Sequence, residues 1–304
     1  MSERQDMDRD THRRFFETVG EGKRVSQAKA ATALGYSAAV ISAYKGGTYA
    51  GDVGTLEKKI ATWLKRQERR LGRPEIPVAE TAALGRIRRA IAMAQDEADI
   101  AVIIGDAGSG KTTALRRYAA ESRSAILVEA DPSFTKTTLM KAVARSLGID
   151  TGGGQAAVIE RIVEALSGRD TVLIVDEADY LSADSLELLR RVIHDKSGIG
   201  VVLVGLPKLE HNIRNLKNDH RQLQSRIGVM AKLEKMDRAD ARSVVAGVWP
   251  ELPGRVVEAF VKAAGGSVRT LVKLMGRAHR VATVNGGGLP DEDAVAEAGK
   301  LLMS

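Results

Sequence analysis

The alternation of apolar and polar positions falls into three regimes along the 304-residue chain. In "SQAKAATALGYSAAVISAYKGG", Ala30, Leu34, Val40, Ile41 and Tyr44 recur at helical spacing on either side of Gly35. Ser26 and Ser37 stand where helix N-caps belong, so the segment predicts a helix, a glycine turn and a second helix. From residue 99 onward the pattern becomes short apolar runs separated by amphipathic stretches: "DIAVIIG", "SAILVEA", "DTVLIVDE", "GVVLVGL" and "IGVMAKLE". Their length and β-branched content predict five strands, and the alternation with helices predicts an α/β domain with a parallel sheet. After residue 237 the strand-like runs stop, and "ADARSVVAGVW", "PGRVVEAFVKAAGG" and "VRTLVKLMGRAHRVATV" read as helices.

Between the first two regimes lies "RRLGRPEIPVAE", where Gly72, Pro74 and Pro77 interrupt any helical period. The expected organisation is a small all-α module over 1–70, a linker over 71–80, an α/β core over 81–236 and a helical subdomain over 237–304. Charge sharpens this division. The stretch 58–73 carries Lys58, Lys59, Lys65, Arg66, Arg69, Arg70 and Arg73 against Glu68 alone, within a chain of formal net charge +7. Such a balance favours a polyanionic partner. With no cysteine, disulfides and thiolate metal sites are excluded, and the five histidines show no paired spacing that suggests zinc. A structural metal is not expected. No run of eighteen uncharged apolar residues exists, and "MSERQDMDRD" is too polar for a signal peptide, so the expectation is a soluble cytoplasmic protein without a membrane partner.

The most specific chemistry sits in Gly105, Asp106, Ala107, Gly108, Ser109, Gly110, Lys111, Thr112 and Thr113, which fit G-x-x-x-x-G-K-[ST] between a strand and a helix. Glycines let the backbone wrap phosphates so that successive N–H groups face negative charge. Lys111 would neutralise the β- and γ-phosphates and Thr112 would ligate Mg²⁺, which makes ATP and Mg²⁺ the expected cofactors. In "TVLIVDEAD" a buried strand ends on Asp176 and Glu177, the first suited to the Mg²⁺ shell and the second to orienting an attacking water.

These motifs, with "QLQSRIGV" before the fifth strand and "AGGSVRTLVKLM" in the helical subdomain, resemble the AAA+ ATPases. The resemblance implies a P-loop domain with a parallel five-stranded sheet and a helical lid, and active sites shared between neighbouring subunits. It makes Arg226 the arginine finger, with Arg221 as the alternative, and Arg269 a second sensor reaching the γ-phosphate from the lid. One departure is Leu206, standing where many relatives carry a polar first sensor, which implies slow turnover.

The N-terminal segment has a helix-turn-helix layout. Its second helix offers Ala38, Ala39 and Ala43 at expected exposed positions, and alanine cannot read base edges. Ser37, Ser42, Lys45, Lys58, Lys59, Lys65 and Arg66 can instead bind phosphate, and Lys136 in "PSFTKTT" is the candidate inner contact from the core. Weakly selective binding of double-stranded DNA is the expectation.

Taken together, the chain resembles the target-DNA-binding transposition B proteins of phage Mu and its prophage relatives over nearly its whole length. That resemblance implies ATP-bound subunits assembling as a helical filament on DNA, presenting it to a transposase and leaving upon hydrolysis, within the nucleoid of a bacterial host. Three other classes are weighed against this one. A transcription regulator would carry base-reading side chains on the second helix, and a secretion ATPase would carry a membrane helix. A replicative helicase loader shares the core motifs and is separated by its partner.

Overall fold

Each inner strand of the sheet sends its side chains alternately into two different cores. In the computed structural model, which describes residues 8–23, 25–71, 74–216 and 221–303, strands β1 (Ile100–Ile104), β2 (Ala125–Glu129), β3 (Val172–Asp176), β4 (Gly200–Gly205) and β5 (Ile227–Lys232) pair in parallel, in the order β2-β3-β4-β1-β5. Ile100, Val102 and Ile104 of β1 join Leu173, Val175, Val201 and Leu203 in one core. Ala101 and Ile103 join Val172, Ile174, Val202 and Val204 in the other. The two-residue period of a strand produces this sorting, and covering both faces with helices explains why β1, β3 and β4 are apolar throughout. The first core is closed by helices Lys136–Ser146 and Gln155–Leu166, the second by Ala82–Asp96 and Lys111–Glu121. Burying each large aliphatic side chain contributes roughly 1.5–3 kcal/mol.

The last four helices, Arg238–Ala246, Gly254–Ala264, Val268–Val284 and Glu292–Met303, bury a separate cluster around Phe260, Leu271 and Leu274, where Trp249 stacks on Phe260 at 5.8 Å. They belong to the same compact unit as the sheet, the chain dividing after Pro74. The expected linker is not free chain throughout: Ile76 and Ala79 pack against this helical cluster, and Arg117 donates to the Val78 carbonyl at 2.6 Å. Those apolar side chains gain more from burial than the short segment gains from freedom.

The other unit contains helices Arg9–Thr18, Gln27–Leu34, Ala38–Lys45 and Val53–Leu71 around Phe15, Ile41, Tyr44, Ile60 and Trp63. Ser26 and Ser37 cap their helices by accepting from the amides of Lys29 and Val40. Ala38 and Ala39 are exposed, whereas Ala43 is half-buried and so is corrected from the exposed set. Residues 1–7, Arg73 and the side chains of Arg69, Arg70 and Arg221 lie outside the described residues. No described helix is long and apolar enough to cross a membrane.

Candidate active site

The loop leaving β1 turns back on itself through Gly108 at φ +85° and Gly110 at φ +91°, a left-handed region that side chains with a Cβ rarely adopt. Helix Lys111–Glu121 then begins without any side-chain cap, leaving its first N–H groups to a ligand at the end where the helix dipole favours negative charge. Gly110, Lys111, Thr112 and Thr113 line a cleft of about 510 Å³. The Lys111 ammonium donates to the carbonyls of Gly105 at 2.6 Å and Asp106 at 3.0 Å. Burial pushes it below the usual lysine range, against the opposing pull of Asp176, Asp179 and Asp106.

Two acids close the opposite wall. Asp176, buried at the end of β3, accepts from the Thr112 hydroxyl at 2.6 Å and from the Glu177 amide at 2.9 Å. Gly205, at the end of β4, lines the same cleft, and a Cβ there would meet Asp179 Oδ1 at 2.7 Å. Glu177 has φ +54°, a conformation costing a non-glycine residue roughly 1–2 kcal/mol. Its carboxyl is exposed yet lifted above the usual glutamate range, first by desolvation and then by the negative fields of Asp176, Asp179 and Glu129. Paired hard oxygen donors on Thr112 and Asp176 suit Mg²⁺. Glu177, one residue on and held in the cleft wall, suits a base or water-orienting group.

The lid supplies the third wall. The Arg269 amide donates to the Gly108 carbonyl at 3.1 Å, tying helix Val268–Val284 to the phosphate loop. Its guanidinium is exposed beside the loop, and it lines the cleft with Val272 and Lys273. A second cleft bounded by Thr81, Ala82, Ser109, Lys235, Met236 and Val268 adjoins the same loop.

The structure therefore brings Lys111, Thr112, Asp176, Glu177 and Arg269 together. It does not bring in Arg226. That residue precedes β5, is exposed, and lies 4.0 Å from Asp195 rather than among the residues lining the cleft. Leu206 does line it, and its amide donates to Asp179 Oδ1 at 3.1 Å. Asp179 and Lys273 were missed from sequence. Asp179 is the last residue of the "DEAD" run, and Lys273 lies one helical turn beyond Arg269, so both had a signal in spacing alone.

Of the expected DNA contacts, Ser42, Lys45, Lys58, Lys59, Lys65 and Arg66 are exposed. Lys59 sits over the Tyr36 ring at 4.6 Å and Lys45 over Phe16 at 5.7 Å, which fixes both ammonium groups near the surface. Ser37 is exposed too, though its oxygen is engaged as a helix cap. Lys136 is ion-paired with Asp184 at 3.0 Å, so its charge is already partly matched within the chain.

Residues 94–213 match the AAA domain family. The chain is 30% identical over 256 residues to the Mu-like prophage FluMu DNA transposition protein B of Haemophilus influenzae, covering 80% of this chain and 88% of the relative. It is 27% identical over 237 residues to the ATP-dependent target DNA activator B of Escherichia phage Mu, covering 76% and 75%. Among solved structures it is similar to the Aeropyrum pernix ORC2 protein in ADPNP–ADP complexes, with TM-score 0.57, 20% identity and coverage of 74% and 69%. The Aeropyrum pernix ORC1 protein in complex with DNA matches with TM-score 0.55 and 23% identity, over 75% and 67%. At these identities the two structures establish the shared AAA+ fold.

Proposed function

Because this chain belongs to the family of Mu-like DNA transposition B proteins, and is thereby an AAA+ ATPase acting in Mu-like transposition, we propose that it assembles on target DNA in its ATP-bound state and hands that DNA to a transposase. Hydrolysis then releases it. The observation that carries this reading is the position of Arg226, outside the cleft that holds Lys111, Thr112, Asp176, Glu177 and Arg269. A cleft whose charge-stabilising arginine lies elsewhere on the chain is completed by a neighbouring subunit, so turnover depends on assembly.

In this reading Lys111 leaves the loop carbonyls for the β- and γ-phosphates, and the amides of the uncapped helix bind the same anion. Thr112 and Asp176 would hold Mg²⁺, which neutralises charge on the phosphate oxygens. Glu177 accepts the proton of the attacking water, and Arg269 carries the presence of the γ-phosphate into the lid. The adjoining cleft beside Thr81 and Val268 would hold the nucleotide's base. The exposed cations of the N-terminal unit bind the DNA backbone, and the alanines of helix Ala38–Lys45 leave base sequence unread.

The test is electron microscopy of the full-length protein with duplex DNA and ATP, ADP or no nucleotide. Filaments on DNA that require ATP are expected. Identical assemblies in all three conditions, or none with ATP, would overturn the reading. Pull-down with a transposase against a replicative helicase distinguishes it from a helicase loader.

A further inference from the structure

Glu187, Arg190, Asp195 and Arg226 form a line of alternating charge running from the interior to the surface. Side-chain exposure is low at Glu187 (14%) and Arg190 (5%) and rises from there to 32% at Asp195 and 56% at Arg226. Arg190 sits at the junction between helix Ala183–Leu189 and the π-helical turn Arg190–Lys196. Its guanidinium clasps both Glu187 oxygens, contacts Asp195 Oδ2, and donates to Gln222 Oε1 at 3.0 Å. Asp195 is thus pinned through one oxygen. Its other oxygen, Oδ1, is 4.0 Å from Arg226 Nε and 3.9 Å from His194 Nε2.

The charge balance shows why the fourth member matters. Two carboxylates around one buried guanidinium leave a net negative charge near the surface, and Arg226 is the arginine that offsets it. Gln222 reinforces the arrangement, because it lies on the short helix Arg221–Ser225 that leads into Arg226. Both the backbone before Arg226 and the carboxylate beside its side chain are therefore held by the same buried residue.

We propose that Asp195, anchored by Arg190, is the positioning residue that holds the Arg226 side chain ready for the nucleotide of a neighbouring subunit. This rests on the reading of Arg226 as an arginine that acts in trans. A long exposed arginine otherwise samples many rotamers, and a displacement of about 1 Å at a reacting group can lower a rate about 100-fold. The carboxylate confines that search without entering any active site itself.

A double-mutant cycle on the full-length protein tests it, measuring steady-state ATP hydrolysis with Mg²⁺ and duplex DNA for wild type, Asp195→Asn, Arg226→Ala and the double variant. Expected is a loss of about 10- to 100-fold in kcat for Asp195→Asn, an unchanged KM for ATP, and no further loss when it is added to Arg226→Ala. Asp195→Glu restores part of the rate. If Asp195→Asn turns ATP over at the wild-type rate, or lowers the rate of Arg226→Ala by the same factor as that of wild type, Asp195 does not act through Arg226 and the inference falls. Wild-type turnover by Arg226→Ala itself would instead remove the trans reading beneath it, an outcome read from a different arm of the cycle.

Discussion

Thr112 and Asp176, 64 positions apart, are joined by a hydroxyl-to-carboxylate hydrogen bond of 2.6 Å that couples the first turn of the phosphate-loop helix to the end of β3. The bond holds two hard oxygens together on the cleft wall and fixes the spacing of loop and strand. Thr112→Val keeps the shape and removes the donor. ATP hydrolysis should fall on the order of 10- to 100-fold, with the half-saturating Mg²⁺ concentration raised. A magnesium titration of the ATPase rate checks this, and an unaltered titration would separate Thr112 from the metal.

Glu177 stands in the cleft wall on a strained backbone. Its left-handed backbone is a conformation that glycine adopts freely, so Glu177→Gly should stabilise the fold by about 1 kcal/mol while abolishing turnover. Thermal unfolding beside an ATPase assay reads both effects. Glu177→Gln, which leaves the backbone strained, should bind ATP, fail to hydrolyse it and remain trapped on DNA.

With Glu177 as the proposed base, its raised carboxyl should set the acid side of the pH profile. A base must be ionised to act, so activity present at neutral pH should be lost as pH falls through a value above the ordinary glutamate range. Glu129, held by a bidentate contact to Arg116 at 2.6 and 2.7 Å, contributes to that elevation. Glu129→Gln removes a negative neighbour, so the acid limb of kcat should move to lower pH. No movement would mean that another group governs the limb.

On the proposed reading, Arg226 and Lys111 belong to different halves of one shared site. Each single alanine variant should lose most of its activity, the arginine contributing on the order of 10³- to 10⁵-fold where such residues act on other nucleotides. Mixed on DNA, Arg226→Ala subunits offer an intact phosphate loop and Lys111→Ala subunits an intact arginine. ATPase activity above either variant alone is expected wherever co-assembly is verified. Its absence there would assign Arg226 to its own subunit.

Binding to duplex DNA should weaken steeply with salt and differ little between sequences, with a logarithmic slope of about −0.9 per phosphate contacted. Replacing Lys58 and Lys65 by alanine should reduce that slope by about two and leave sequence preference unchanged. Fluorescence anisotropy over a salt series measures both. A flat salt response would exclude backbone charge as the source of affinity.

The strands, the phosphate loop and the acidic pair were legible in the sequence for a local reason. Strand burial has a two-residue period, a helix opening after glycines has a fixed spacing, and both are properties of contiguous chain. Hence Ile100–Ile104, Lys111–Glu121 and Asp176 followed by Glu177 stand where their patterns place them. Other relationships required the folded chain. That β1 lies between β4 and β5, and that Gly205 has no room for a Cβ beside Asp179, depend on segments far apart in sequence. The same holds for the cations: Lys136 meets Asp184, and Arg226 meets Asp195 rather than its own cleft. A charge carries no record in its own sequence neighbourhood of which opposite charge folding will bring beside it. That choice belongs to the packing of the layers, where apolar burial fixes the backbone and the polar side chains pair with whatever it brings within reach.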